Sequence, residues 1–401
     1  MQLIHRNLLI GIHDALQETF FEERKFADKV IERLLKKNKK WGSQDRAVVS
    51  GIFYDIVRWK KRLEFYLDEP VKPKNIYALI LTYLIWTKTK YKDFEEFRGL
   101  PVGKYINRTK YKKFPTKAIE HSIPEWLAET LEKELGSSWG KEMRALNEQA
   151  PTVLRANRLK TNPRDLIEVL REEGVECFGL RKYPDAVQLE EKKNVFLSSV
   201  FKKGWFEVQD ASSQRIAYAL DVEPKMRVVD ICAGAGGKTL HIASLMENKG
   251  QIIALDIHDW KLKELKRRAK RAGAHNIETR PITDTKVIKR LYGKADRLLI
   301  DAPCSGLGVL KRNPDSKWKI DQDFIDRIKK EQAEILQNYA KILKVGGKMI
   351  YATCSILPSE NQVQVQKFLK NNTDFQLVKD DKIMPSEGYD GFYLAVIEKT
   401  K

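Results

Sequence analysis

Cysteine is scarce in this chain: its 401 residues hold four, Cys177, Cys232, Cys304 and Cys354, and no two of them form a CxxC pair. Neither a disulfide scaffold nor a tetrahedral zinc site is expected from that set. The thiols are expected to stay reduced, as in the cytoplasm. None of the six histidines falls in a metal-type spacing such as HExxH, so no metal is assigned. Long apolar runs are missing as well. The longest, residues 76–86, is 11 residues with a threonine inside, against the roughly 20 needed to span a bilayer. His5, Arg6, His13 and Asp14 interrupt the apolar residues near the start, so neither a signal peptide nor a membrane partner is expected. Acidic residues are the minority charge: 55 Asp plus Glu face 74 Lys plus Arg, a net +19. A folded protein with that excess most plausibly meets a polyanion, although a merely soluble basic surface is compatible with it.

What is present is enough to fold. Hydrophobic residues make up 42% and aromatics 9%, too rich for a disordered chain. The length suggests two or three domains. Residues 1–120 carry apolar side chains at helical spacing (Leu8, Ile12, Leu16; Val30, Leu34, Leu35; Val48, Ile52, Ile56) and are expected to form an all-α domain. Its end, residues 104–117, holds six basic residues and no acidic one. Among them are Lys110, Lys112 and Lys113, interleaved with Tyr105, Tyr111 and Phe114. Such a stretch suits phosphate neutralisation and base stacking; a solvated linker face is the equal alternative. Residues 121–205 alternate helix and short strands as a small α+β unit. Residues 206–401 alternate strand and helix, as in a doubly wound, mostly parallel α/β sheet, whose chemistry belongs at the strands' carboxyl ends.

Three segments of that last domain carry chemistry. The first runs DICAGAGGKT from Asp230, a strand entering a glycine turn, with Asp256 ending the next strand. Glycines admit a ligand close to the backbone, and a strand-end acid can hold ribose hydroxyls, so an adenosine-containing cofactor is expected. The run is neither GxGxxG nor GxxxxGK[ST]. The second and third are DAPCSG, with Asp301 and Cys304, and YATCS, with Cys354. A buried cysteine is commonly a small hydrophobe. Two at strand ends beside polar residues point instead to covalent catalysis by a thiolate. Cys177 lacks that context and is read as structural.

Together DICAGAGGKT, ALDIH, DAPCSGLGVLKRNPDSKW and YATCSILPSEN resemble the S-adenosylmethionine-dependent RNA 5-methylcytosine methyltransferases, the NOL1/NOP2/Sun superfamily, over residues 150–401. Within it the chain looks most like the RsmB/Fmu/Sun-type branch, which acts on small-subunit (16S) rRNA. The resemblance implies a NusB-like fold for residues 1–120 and a ferredoxin- or RRM-like one for 121–205. It implies that Cys232, Ala233, Gly234, Ala235, Gly236, Gly237 and Lys238 cradle S-adenosylmethionine, that Asp256 holds its ribose and that Asp284 meets its adenine. Ala235 stands where many members carry proline. Asp301 would sit beside both cofactor and cytosine, Cys354 would attack C6, and Cys304 would help release the product. The base must be unpaired, so a loop of 16S rRNA and a monomeric enzyme are expected. Lys311, Arg312 and Lys317, with Trp318, would grip RNA, or form a solvated basic loop. A tRNA substrate, a DNA-type enzyme with Cys304 as nucleophile, and a non-catalytic rRNA-binding assembly factor are the alternatives; a nicotinamide dehydrogenase fits less well.

Overall fold

A computed structural model describes residues 4–22, 25–111 and 113–401, and the chain divides into two compact units. The first comprises residues 1–148 and 310–322, the second 149–309 and 323–401.

The first unit is helical, as its apolar spacing predicts. At its centre lies the helix Ile76–Trp86, which buries Ile76, Ala78, Leu79, Ile80, Leu81, Thr82, Tyr83 and Leu84. That explains the apolar run: a helix hydrophobic all round is a buried helix. The helices Arg6–Phe21, Ser43–Arg58 and Lys60–Leu67 pack Leu8, Ile12, Leu16, Phe53, Ile56 and Leu63 into the same core.

This unit extends past residue 120 and takes in the helices Glu125–Leu135 and Trp139–Leu146. Ser122 Oγ accepts from Lys61 N at 3.0 Å, and Asn147 Nδ2 donates to His121 O at 2.8 Å. Residues 310–322, expected in the α/β domain, also belong here. Asp315 Oδ2 accepts from Ala27 N at 2.9 Å, at the start of the helix Ala27–Lys37, and Trp318 Nε1 donates to Val57 O at 2.8 Å. Both partners lie more than 250 residues away in sequence, too far for spacing to reveal.

The second unit contains two sheets. Strands β1 (Val153–Ala156), β2 (Cys177–Gly179), β3 (Ala186–Leu189) and β4 (Phe206–Val208) form an antiparallel sheet in the order β2-β3-β1-β4. The helix Pro163–Glu172 packs on it; Asn162 Oδ1 caps that helix by accepting from Asp165 N, as the Asn-Pro turn foretells. Cys177 is fully buried in this core.

The larger sheet has seven strands: β5 (Arg227–Ile231), β6 (Gln251–Asp256), β7 (Ile277–Pro281), β8 (Ala295–Asp301), β9 (Leu343–Thr353), β10 (Phe375–Ile383) and β11 (Phe392–Lys399). Their order is β10-β11-β9-β8-β5-β6-β7, parallel from β9 to β7 and antiparallel at β10 and β11. Successive residues of β5 serve opposite cores, Val228 on one face and Val229 and Ile231 on the other. The expected doubly wound, mostly parallel sheet is therefore present. β10 has no signature in the sequence because it is an exposed edge strand without apolar alternation.

Candidate active site

β5 pairs in parallel with β6 on one side and β8 on the other, so strand order reverses there and a crevice opens at its carboxyl end. The chain leaves β5 through a turn with positive φ at Cys232 (64°), Gly234 (56°) and Gly236 (84°). Gly236 admits no side chain, since a Cβ would stand 2.5 Å from Leu265 Cγ. Gly237 instead faces open space, and Gly234 meets nothing nearer than 4.0 Å. The turn is held from outside. Asp256 Oδ2 accepts from Gly234 N at 2.9 Å and its Oδ1 from His258 N at 2.8 Å. Arg268 Nη1 donates to Ala235 O at 2.8 Å, and Arg155 Nη1 to Gly237 O at 2.5 Å. Nothing in the local sequence around these two arginines marks them for this role.

Asp230, at the penultimate position of β5, is buried; its Oδ2 accepts from Thr239 Oγ1 at 2.6 Å while Oδ1 has no partner. Burial, only partly offset by Thr239, pushes its carboxyl up to about 7. Asp284 is exposed just beyond β7 and caps the helix Thr285–Lys289, its Oδ1 accepting from Lys286 N at 2.7 Å. Lys238 Nζ donates to Asp301 Oδ2 at 2.6 Å, at the end of β8. Burial works against the Lys238 charge, yet Asp301, Cys354 and Asp230 raise its pKa overall.

The two cysteines follow the ends of adjacent strands, Cys304 after β8 and Cys354 after β9, and their sulfurs lie 3.2 Å apart. The hydrogen bond with Cys354, together with burial, pushes the Cys304 thiol well up. Gly308 N donates to Cys354 O at 2.9 Å, a close approach that only glycine permits: a Cβ there would meet Gly391 O at 2.2 Å and Cys354 O at 2.8 Å. The Cys232 thiol, by contrast, is pushed up chiefly by burial.

The basic residues divide sharply. Lys110 and Lys113 are exposed, and Lys112 lies outside the described residues. Of the interleaved aromatics only Tyr111 is exposed; Tyr105 is buried and Phe114 packs against Phe65 and Arg62. The phosphate-gripping reading is corrected for Lys311 and Lys317. Lys317 is 1% exposed and its Nζ donates to Arg58 O at 2.9 Å, while Lys311 is buried and its carbonyl accepts from Arg58 Nη2. Arg312 is half-buried. Burial pushes the Lys317 pKa well down.

The family described as "16S rRNA methyltransferase RsmB/F" matches residues 217–396, and "Methyltr_RsmF/B-like, ferredoxin-like domain" matches residues 123–196. Among curated relatives, ribosomal RNA small subunit methyltransferase B of Proteus mirabilis is 33% identical over 290 residues, 72% of this chain and 68% of that protein. The protein of that name from Escherichia coli is 36% identical over 286 residues, 69% of this chain and 66% of that one. The crystal structure of PH0851 superposes with a TM-score of 0.80 at 26% identity, covering 99% of both chains.

Proposed function

The chain belongs to the RsmB/F family of 16S rRNA methyltransferases, and on that footing we propose that it methylates C5 of a cytosine in an unpaired stretch of small-subunit rRNA, in the cytoplasm, with Cys354 as nucleophile. S-adenosylmethionine is the cofactor, and when bound it supplies an electrophilic methyl group. The crevice fits such a ligand on two observations: open space off Gly234 and Gly237, and the buried, unpartnered Oδ1 of Asp230, which wants a donor. Residues 232–238 with Asp256 and Asp284 would hold it.

The chain's own groups account for the rest. Cytosine C5 is a poor nucleophile in an aromatic ring. Attack of the Cys354 thiolate on C6 ends the aromaticity and makes C5 enamine-like. Asp301, hydrogen-bonded to Lys238, would bind the N3 edge and favour the adduct. After C5 has been alkylated its proton must leave and the C6–S bond must break. Cys304, beside Cys354, is the group assigned to assist that release. The observation that carries this reading is the 3.2 Å approach of the Cys304 and Cys354 sulfurs beside the β5 crevice. Bisulfite sequencing of small-subunit rRNA from a strain lacking the gene tests it. One cytosine is expected to lose protection, and restored protection on complementation is required.

A further inference from the structure

We propose that Glu360 is a positioning residue that sets the spacing of the two cysteine loops; this rests on the cysteine roles proposed above. Glu360 is 0% exposed, and its carboxyl group gathers hydrogen bonds from both loops. Oε1 accepts from Ser305 Oγ and from Ser355 Oγ, each at 2.5 Å. Oε2 accepts from Ser305 N at 2.8 Å and from Gln332 Nε2 at 3.0 Å. Ser305 directly follows Cys304, and Ser355 directly follows Cys354. Each cysteine is also tied on its other side. Gln332 Nε2 donates to Pro303 O at 2.9 Å, and Thr353 Oγ1 donates to Asn361 Oδ1 at 2.5 Å. Tyr351 OH anchors the far end of the knot by donating to Glu360 O at 2.7 Å.

Both sulfurs therefore sit on short loops whose flanking residues converge on one side chain. Bonds as short as those from the serine hydroxyls are typical of charge-assisted hydrogen bonds, the stronger kind. Losing the shared acceptor leaves the Ser305 N–H without its partner and the two buried serine hydroxyls with only each other to donate to, 3.1 Å apart, and the loops lose their common anchor. Glu360 touches neither Cys304 nor Cys354 through a hydrogen bond of its own, so its effect on chemistry passes through Ser305 and Ser355. Glutamine at this position keeps the shape. Its carbonyl can accept from Ser305 N and Gln332, and its amide can donate to the two serine oxygens.

The test uses the full-length protein and two readouts. In the first, small-subunit rRNA and cofactor give kcat, KM and cofactor affinity. Glu360→Ala is expected to lower kcat tenfold or more while KM and cofactor affinity stay within twofold, and Glu360→Gln is expected to recover most of the rate. The second readout needs no RNA. Diamide oxidises two neighbouring thiols to a disulfide: both S–H bonds break, an S–S bond forms, and the diazene takes up the two hydrogens to become the hydrazine. Peptide mapping of the Cys304–Cys354 disulfide is expected to show formation at least tenfold slower in Glu360→Ala than in wild type. Wild-type rates in both readouts would overturn the proposal. So would a loss of cofactor affinity and melting temperature that matches the loss of kcat, the mark of general unfolding. If Glu360→Ala does not fold, Ser355→Ala takes its place with the same criteria. A wild-type protein that methylates no cytosine, yet shows the thiol-coupling difference, would sink the functional reading and leave the positioning role standing.

Discussion

The sulfur of Cys304 lies 3.2 Å from that of Cys354, a residue fifty positions later on the adjacent loop. Burial and the contact with Cys354 push the Cys304 thiol up, while Lys238 gains pKa partly from Cys354 nearby. Two sulfurs this close can serve one reaction, one as nucleophile and the other in a later step.

The roles proposed for the two cysteines separate in a covalent-trapping experiment. Cys354→Ala is expected to abolish methyl transfer and to form no protein–RNA adduct. Cys304→Ala is expected to attack and methylate but release slowly, giving a slow band on a denaturing gel with RNA and cofactor. The opposite pattern would assign the nucleophile to Cys304.

Asp256 accepts backbone N–H groups from both Gly234 and His258 and so shapes the glycine turn as well as facing the crevice. Asp256→Ala should weaken cofactor binding by about tenfold or more, the loss expected for a charge-assisted hydrogen bond of ~1.5–3 kcal/mol. Calorimetry reads the difference; unchanged affinity would remove Asp256 from the cofactor site.

Exposed and buried lysines should separate cleanly. Replacing Lys110 and Lys113 with alanine is expected to make RNA binding less salt-dependent, the slope becoming shallower by roughly one for each phosphate no longer neutralised, without moving the melting temperature. Lys317→Ala removes the donor to Arg58 O and a buried aliphatic stem, so it should cost about 2 kcal/mol of stability or more. RNA filter binding over a salt series, alongside thermal unfolding, would contradict this division if Lys317→Ala left stability untouched.

Acid should loosen the second unit through His241. Its Nε2 donates to Asp185 Oδ2 at 3.0 Å inside the protein, and Asp185 also accepts from Tyr218 OH at 2.6 Å and from Arg158 Nε at 2.5 Å. Burial drops His241 from 6.5 to about 4 despite the carboxylate beside it. Burial also acts against the Asp185 charge, but the hydrogen bonds from His241, Tyr218 and Arg158 bring it down to about 2. Both groups take up protons more readily when unfolded, so stability is full above about pH 6.5 and falls as pH drops toward 4, by roughly 3 kcal/mol from the histidine. Asp185 adds a further loss below about pH 4. His241→Gln, which keeps a donor, should flatten chemical-denaturation stability between pH 4 and about 6.5. A slope as steep as that of the wild type would refute the assignment.

Local pattern alone settled much of this protein. Strict strand–turn–helix alternation placed β5, β6, β8, β9 and β11, because a buried parallel strand needs an apolar run and the turn after it needs glycine. The glycine turn, Asp256, Asp301 and both strand-end cysteines were legible for the same reason, each being confined to a few consecutive residues. What could not be read depended on partners far away in sequence. Lys311 and Lys317 look like a solvated basic loop until the packing of residues 310–322 against the helix Ser43–Arg58 buries them. Tyr105 and Phe114 look like stacking platforms until a core claims them. Arg155 and Arg268, which hold the glycine turn, and Glu360, which joins the cysteine loops, owe their roles to hydrogen bonds spanning 82, 33 and 55 residues. Hydrophobic period and turn chemistry are properties of neighbouring residues. Burial of a charge and the sharing of one acceptor between two loops are properties of the assembled chain, and only the tertiary structure decided them.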